Sequence, residues 1–439
     1  MNHAAPRLTA IAETILGAPL PVRIRAWDGS EAGPHGAPAL VLTHRRALRR
    51  ILWKPGELGL ARAWVAGDLT VDGDLYETLG LLSGILWDRP SASEAPDGAP
   101  GTGRTALLRD PAGRAAVREL FRLAGPWPAP APPAEEAPRR SGPLHTKVRD
   151  RAAISHHYDV GNEFYELVLG PSMVYSCAYW SPDGTLEQAQ HDKLDLVCRK
   201  LALEEGDRLL DVGCGWGSMA LHAAREYGVR VTGITLSREQ AAYARKRVAD
   251  EGLADRVEIR VQDYRDVKDG PYDAISSIGM AEHVGSARYR DYAADLYALL
   301  RPGGRLLNHQ IARRPEPDES AYRVDEFIDA YVFPDGELSP LGSTVSELER
   351  AGFEVRDVES LREHYALTLR AWVQRLEASW DEAVRLTSPG RARVWQLYMA
   401  ASALGFERGG LGVNQVLAVR AEPGGISGLP LRTRTWPAV

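Results

Sequence analysis

The sequence predicts an α/β protein: a doubly wound sheet with added helices, preceded by a small N-terminal α+β domain. Three observations carry this expectation. Residues 208–217, RLLDVGCGWG, form a short apolar run that ends in alternating glycines, and a helix-like segment, Ser218 to Tyr227, follows. Strand-like and helix-like segments then alternate from Leu209 to Leu307, the pattern of strands joined by crossover helices. Upstream, residues 86–145 are dense in Pro, Ala, Gly and Glu, which sets the first 85 residues apart as a unit of their own.

Taken in order, Val22 to Trp27 alternates like a strand, and Asp28-Gly29 begins a turn. Thr43 to Lys54 reads as a helix with Leu48, Ile51 and Leu52 on one face and Arg45, Arg46, Arg49, Arg50 and Lys54 elsewhere. That basic face is either ordinary solvated surface or a contact for anionic lipid head groups. Within the Pro-rich stretch, Ala112 to Ala124 has helical spacing, so residues 86–145 read as a linker carrying one helix. A third strand is expected at Val257 to Val261 and a fourth at Ala274 to Ile278. Beyond Leu307 come helices at Tyr322 to Ala330 and Ser343 to Ala351, and a strand at Phe353 to Val358. Two amphipathic stretches, Ala366 to Leu386 and Arg391 to Leu404, precede a final strand at Gln415 to Val419 and a loose tail from Glu422.

Composition bounds the function. A chain of 439 residues can hold two or three domains. A net charge of −6 gives no global field for polyanions, so no nucleic-acid partner is expected. Cys177, Cys198 and Cys214 form no C-x-x-C, hence no metal cage, and a reducing cytoplasm fits them. No run approaches the ~18 apolar residues of a membrane span, which leaves a soluble or peripherally membrane-associated protein as the expectation.

Gly213, Gly215 and Gly217 carry no Cβ, so a ligand can approach the backbone closely there. Such a turn suits a dinucleotide or S-adenosylmethionine. The dinucleotide spacing is G-x-G-x-x-G with an acid about 20 residues on. Here the spacing is G-x-G-x-G, and the second strand, Val229 to Ile234, runs into TLSREQ with no carboxylate at its tip. The DVGCGWG wording of Asp211 to Gly217 resembles motif I of the class I methyltransferases, a Rossmann-like fold, which favours S-adenosylmethionine.

More restrictive segments resemble the cyclopropane-fatty-acyl-phospholipid synthase family. They are HHYDVGNEFY (156–165), MVYSCAYW (173–180), GMAEHVG (279–285), FIDAYVFP (327–334) and HYALTLRAW (364–372). The resemblance runs through roughly residues 146 to 420, the expected catalytic domain being 146–439. Leu58 to Asp68 and Val71 to Leu75 are similar to the small N-terminal domain of the phospholipid-acting members, so residues 1–85 are expected to associate with lipid.

The resemblance implies methyl transfer from S-adenosylmethionine to the cis double bond of an unsaturated phospholipid acyl chain, through a carbocation, giving a cyclopropane fatty acid. It implies a bound bicarbonate as proton acceptor, held by Glu282, His309 and Tyr365 with backbone groups at Cys177 and Ile311. Cofactor contacts carried over in the same way are Tyr175 and Ser176 at the methionine carboxylate, and Asp211, Gly213, Gly215 and Gly217 beneath the ligand. Thr235, Leu236 and Gln240 would meet the ribose end, and Asp263 with Tyr264 the adenine. Each residue has a plainer rival: Glu282 as a helix cap, His309 as a satisfied core histidine, Tyr365 as packing, and Cys177 and Cys198 as buried thiols. Ser402 stands where many relatives carry a cysteine, which leaves open a second outcome. In it a hydride shift yields a 10-methylene chain, a precursor of 10-methyl fatty acids that needs a reductase partner. A homodimer is a further expectation from the family. A small-molecule methyltransferase and a non-catalytic lipid-binding module are the rival classes.

Overall fold

The computed structural model describes residues 3–86, 110–126, 128–138, 146–147, 149–150 and 160–431. Positions 156–159 of the HHYDVGNEFY segment and most of the Pro-rich stretch lie outside these. The chain forms two compact units, Met1–Glu136 with Pro389–Ala401, and Ala137–Ser388 with Ser402–Val439.

The first unit contains α1 (Ala4–Leu16), β1 (Arg23–Arg25), β2 (Glu31–Ala32), β3 (Ala39–Leu42), α2 (Arg46–Trp53), α3 (Glu57–Val65), β4 (Leu69–Asp72), α4 (Leu75–Leu86) and α5 (Pro111–Ala124). Its sheet runs β2-β1-β3-β4. Leu8 and Ile11 of α1 pack with Val22, Ile24, Leu42, Leu48 and Leu123 into one core. Asp110 caps α5 by accepting from Gly113 N, and Pro111 fills the first turn, where no N–H is needed. This helix belongs to the unit's core instead of lying loose in a linker. Leu123 and Ala124 are buried there, and Arg7 Nε donates to Glu119 Oε1 at 2.7 Å to tie α5 to α1.

The basic face of α2 has mixed employment. Arg46 and Arg50 both reach Asp68, at 3.0 and 2.9 Å, and Asp68 is 1 % exposed. Arg45 lies over the Trp27 ring. Replacing Asp68 with Asn removes the counter-charge of Arg50, whose side chain is 10 % exposed and keeps only its bond to Ala131 O. We predict a loss of about 3 kcal/mol in the unfolding of this unit, measured by urea denaturation, with Arg46→Ala costing far less because its side chain is half-exposed.

The second unit holds an eight-stranded sheet in the order β11-β12-β9-β8-β5-β6-β7, with β10 alongside β9. Its strands are β5 (Arg208–Val212), β6 (Arg230–Thr235), β7 (Val257–Val261), β8 (Tyr272–Ile278), β9 (Leu300–Arg313), β10 (Ser339–Pro340), β11 (Glu354–Ser360) and β12 (Leu411–Val419). Strands β5 to β9 pair parallel, while β12 runs antiparallel to both β9 and β11. Helices cover both faces: α6 (Asn162–Leu169), α7 (Leu186–Leu201), α8 (Ser218–Tyr227), α9 (Arg238–Asp250), α10 (Tyr289–Leu299), α11 (Glu326–Tyr331), α12 (Leu341–Arg350), α13 (Arg362–Ala378) and α14 (Trp380–Leu386). α15 (Pro389–Glu407) contributes to the first unit up to Ala401 and to the second from Ser402. One core lies under α7, α8 and α9, and the other under α10 and α12. This is the expected doubly wound arrangement. The sheet order reverses between β5 and β8, and such a switch point opens a crevice at the carboxyl ends of the strands.

Two expectations need correcting. The stretch Ala366 to Leu386 is two helices, α13 and α14, broken at Ser379. The tail is not loose throughout, since Leu429 packs on the core and Arg305 donates to Gly428 O. No helix among the described residues is long and apolar enough to cross a membrane.

Candidate active site

A cavity of about 350 Å³ occupies the crevice at the ends of β5, β6, β7 and β8. Tyr175, Ser176, Asp211, Gly213, Gly215, Thr235, Leu236, Gln240, Asp263 and Tyr264 all line it. Gly213 and Gly215 have φ of 78° and 53°, and a Cβ on Gly215 would meet no other atom within 4 Å, so the backbone there is open for a ligand to lie on. Gly217 does not line the cavity. A Cβ there would sit 3.0 Å from Ala244 Cβ, so this glycine serves the packing of α8 against α9.

The polar groups of the cavity are fixed by their neighbours. Thr235 Oγ1 donates to Gln240 Oε1 at 2.9 Å, which leaves the amide nitrogen as the remaining donor, suited to a hydroxyl oxygen. Asp211 Oδ1 accepts from Ser276 Oγ at 2.8 Å, while Oδ2 is sealed without a partner. Burial pushes the Asp211 carboxyl up to about 6, against the pull of Ser276 and Lys193. Burial also pushes the Asp263 carboxyl up, but donors from Arg265 outweigh it and hold the group low. Asp263 thus reaches the cavity with its carboxylate already clamped, Oδ2 at 2.7 Å from Arg265 Nη2.

Beside this cavity lies the second set. Met280 and His283 line the cavity, and Glu282 sits between them in a 3₁₀ turn, Ala281–His283. The residue is partly buried, and its carboxylate turns inward. Oε1 accepts from Ile311 N at 2.7 Å, and Oε2 is sealed from solvent with no partner. Glu282 is therefore no helix cap. Burial raises its carboxyl to about 7. His309 stands opposite Ile278 in the β8–β9 pairing and is 2 % exposed. Its Nδ1 lies 3.3 Å from Gln415 Nε2, and its Nε2 has no partner. Burial, and then the charges of Lys193 and Lys200, hold its pKa far below the usual imidazole value, so the ring is neutral.

Main-chain contacts link the segments that carry the remaining residues. Ile311 pairs with Val413 of β12, and Val413 O accepts from Leu361 N at 2.8 Å. Leu361 O in turn accepts from Tyr365 N at 3.1 Å and from the Cys177 thiol at 3.6 Å. Burial drives the Cys177 thiol strongly upward, so it is an inert hydrogen-bond donor. The Tyr365 ring packs at 4.8 Å on Phe406 and at 6.1 Å on Trp372, and Trp372 meets Tyr175, which lines the cavity, at 5.3 Å. A run of aromatic rings thus joins the cavity to Tyr365. Ser402 lies one helical turn before Phe406 on α15.

Sequence reasoning missed two residues here. Lys193 and Lys200, seven apart on α7, are 1 % and 0 % exposed. Lys193 lines the cavity and donates to Ser176 Oγ at 2.8 Å, its pKa lowered by burial to about 8. Lys200 donates to Gln415 Oε1 at 2.7 Å. The available signal was two cations at helical spacing inside an otherwise apolar stripe (Leu186, Ala189, Leu196, Val197).

The glycine turn, the open cavity and the sheet order define a class I S-adenosylmethionine-dependent methyltransferase. The description "mycolic acid cyclopropane synthetase" matches residues 145–416, and the chain belongs to that family, whose members methylate lipid acyl chains with this cofactor. The chain is 46 % identical over 423 residues to a probable fatty acid methyltransferase of Mycobacterium tuberculosis, covering 94 % of each chain. It is 38 % identical to the cyclopropane-fatty-acyl-phospholipid synthase of Escherichia coli K12, over 64 % of this chain and 72 % of the other. Among solved structures, mycolic acid cyclopropane synthase CmaA1 complexed with SAH and CTAB superposes with a TM-score of 0.58 at 35 % identity, over 61 % of this chain and 97 % of that one.

The raised carboxyl of Glu282 makes a stability prediction. Its protonated form is favoured by folding, so its contribution is full below the usual carboxylate range near 4.5 and is lost as pH rises through about 7. Glu282→Gln removes that loss. Thermal unfolding of the ligand-free protein should show the variant more stable than wild type at alkaline pH, the gap closing as pH falls through the acid range. A constant gap would place the carboxylate in water.

Proposed function

We propose that this enzyme methylates the cis double bond of unsaturated acyl chains in membrane phospholipids, with bicarbonate as the proton acceptor, and forms cyclopropane fatty acids. The observation that carries the reading is the pair of sealed, unpartnered polar atoms, Glu282 Oε2 and His309 Nε2, beside a cavity built for S-adenosylmethionine. Burying such atoms without a partner costs about 1–3 kcal/mol each, so the protein carries a standing cost that a small polar guest would offset. Bicarbonate fits the donor set. A neutral imidazole and a tyrosine can donate to its oxygens, and a carboxyl poised near neutrality can share its proton. Glu282, His309 and Tyr365 would hold it, with backbone groups at Cys177 and Ile311, and when bound it would supply the base.

S-adenosylmethionine supplies an electrophilic methyl group. That chemistry would place positive charge on the acyl chain, which the residues of this chain would have to shelter. Loss of a proton from the new methyl closes the ring. The residues of this chain align, shield and stabilise. Gly213 and Gly215 would leave the backbone open to the cofactor, and Gln240 and Lys193 would offer donors to its polar ends. The faces of Tyr175, Trp372, Tyr365 and Phe406 suit a transient cation. They also exclude water, which would otherwise trap it. The same cation gives a methylene branch if a hydride shifts first, and Ser402, near the Phe406 ring, is where this chain departs from many relatives. Lipid association would fall to the first unit, through Arg45 and its neighbours that are not committed to Asp68.

Purified enzyme with oleoyl phospholipid vesicles and S-adenosylmethionine should give upfield cyclopropane protons by proton NMR. Vinylic methylene protons instead would move the product to the branched series. Turnover of a soluble amine or aromatic acceptor without vesicles, and none with them, would contradict the proposal.

A further inference from the structure

His309 is one end of a buried relay that reaches through β12 to helix α7. Gln415 lies directly opposite His309 in the antiparallel β9–β12 register. Its two amide ends meet different partners: Oε1 faces Lys200 Nζ at 2.7 Å, and Nε2 faces His309 Nδ1 at 3.3 Å. Lys200 is fully buried, pairs with Glu359, and has Asp357 at 3.9 Å. An ammonium group has three donors and no acceptor, so the amide end that meets Lys200 must be the carbonyl oxygen. The NH2 end is then turned to His309. A donor at Nδ1 requires a bare, accepting Nδ1, and a neutral imidazole with a bare Nδ1 carries its proton on Nε2.

We infer that Lys200 and Gln415 are positioning residues which fix His309 in the Nε2–H tautomer, so that the ring presents a permanent donor to an anionic guest. The unpartnered Nε2 is the atom so armed. Without the relay, both tautomers would be open to a buried neutral ring, and one of them would turn a lone pair toward the guest. A lone pair facing an anion repels it, whereas an N–H attracts it. The relay thus decides the sign of the interaction at a site where solvent cannot correct it. The low basicity of His309 keeps the ring neutral, because burial first, and then Lys193 and Lys200, disfavour the imidazolium. What Nε2–H meets rests on the proposed bicarbonate, but the tautomer itself does not.

The experiment is long-range proton–nitrogen correlation NMR on the full-length, ligand-free protein labelled with [15N]histidine. The His309 signals are identified by their loss in His309→Gln. Wild type at neutral pH should show an unprotonated Nδ1 and a protonated Nε2. The reverse pattern would overturn the inference. Gln415→Glu places a carboxylate opposite Nδ1, with Lys200 as its counter-ion, and should invert the tautomer. Lys200→Met should release the amide and give a mixture. An unchanged Nε2–H tautomer in either folded variant would equally overturn it, and the wild-type spectrum decides if a variant fails to fold. Methyl transfer to oleoyl phospholipid vesicles, measured on the same Gln415→Glu sample, should fall at least about tenfold. Inversion of the tautomer with unchanged transfer would uphold the relay and remove His309 from the reaction.

Discussion

Burial of polar side chains along β9 on both faces of the sheet is the constraint that the rest of the catalytic unit answers to. Successive residues of a strand point to opposite faces. Asn308 and Gln310 share one, where Asn308 Nδ2 donates to Gln310 Oε1 at 2.7 Å, Tyr289 OH also donates to Gln310 Oε1 at 2.7 Å, and Gln310 Nε2 donates to Thr344 Oγ1 at 2.8 Å. His309 lies on the other, matched by Gln415, while Glu282 accepts from the backbone N–H of Ile311. A buried polar atom left bare is costly, so natural cores seldom keep one. Glu282 Oε2, His309 Nε2, Asp211 Oδ2 and Trp372 Nε1 are each sealed without a partner, Asp211 in the wall of the cavity. A bare, sealed valence is what a small polar guest would satisfy, and the bonds at Glu282 Oε1 and His309 Nδ1 hold the two side chains in place.

The sheet topology supplies the other half of the design. Reversal of strand order at β5 and β8 opens the cofactor cavity, and the parallel neighbour β9 then carries His309 beside it. Lengthening β9 to Arg313 and pairing it with antiparallel β12 brings a second set of side chains, Gln415 among them, behind the site. The α7 lysines give that side of the sheet a buried positive charge. Such charge is costly unless counter-ions or guests answer it. Lys200 is answered by Glu359, and Lys193 meets only Ser176 at its tip, within the field of Asp211. Anionic ends of ligands are therefore favoured in this interior.

Much of this was legible from residues alone. The strand at 257–261 and the helix at 218–227 have the boundaries their patterns indicated, because an alternating apolar run and a helix set between Gly217 and Gly228 are local signals. Ten of the eleven residues expected at the cofactor line one cavity, and Gly217 departs because a glycine's need can arise from helix packing as well as from a ligand. The relay was not legible. Opposition of His309 and Gln415 is a matter of antiparallel register across 106 residues, which no local pattern encodes. Nor was α1, whose short apolar stripe is diluted by alanines, or the membership of α5 in the first core, since a helix between Pro-rich stretches gives no hint of where it docks.

The central claim is that one small anion occupies the gap between Glu282 and His309 next to the cofactor. A crystal structure grown with S-adenosylhomocysteine and bicarbonate tests it most directly. The account requires a planar, three-oxygen density within hydrogen-bond distance of both Glu282 Oε2 and His309 Nε2. A direct Glu282–His309 hydrogen bond that closes the gap, with no density between the two, would contradict it.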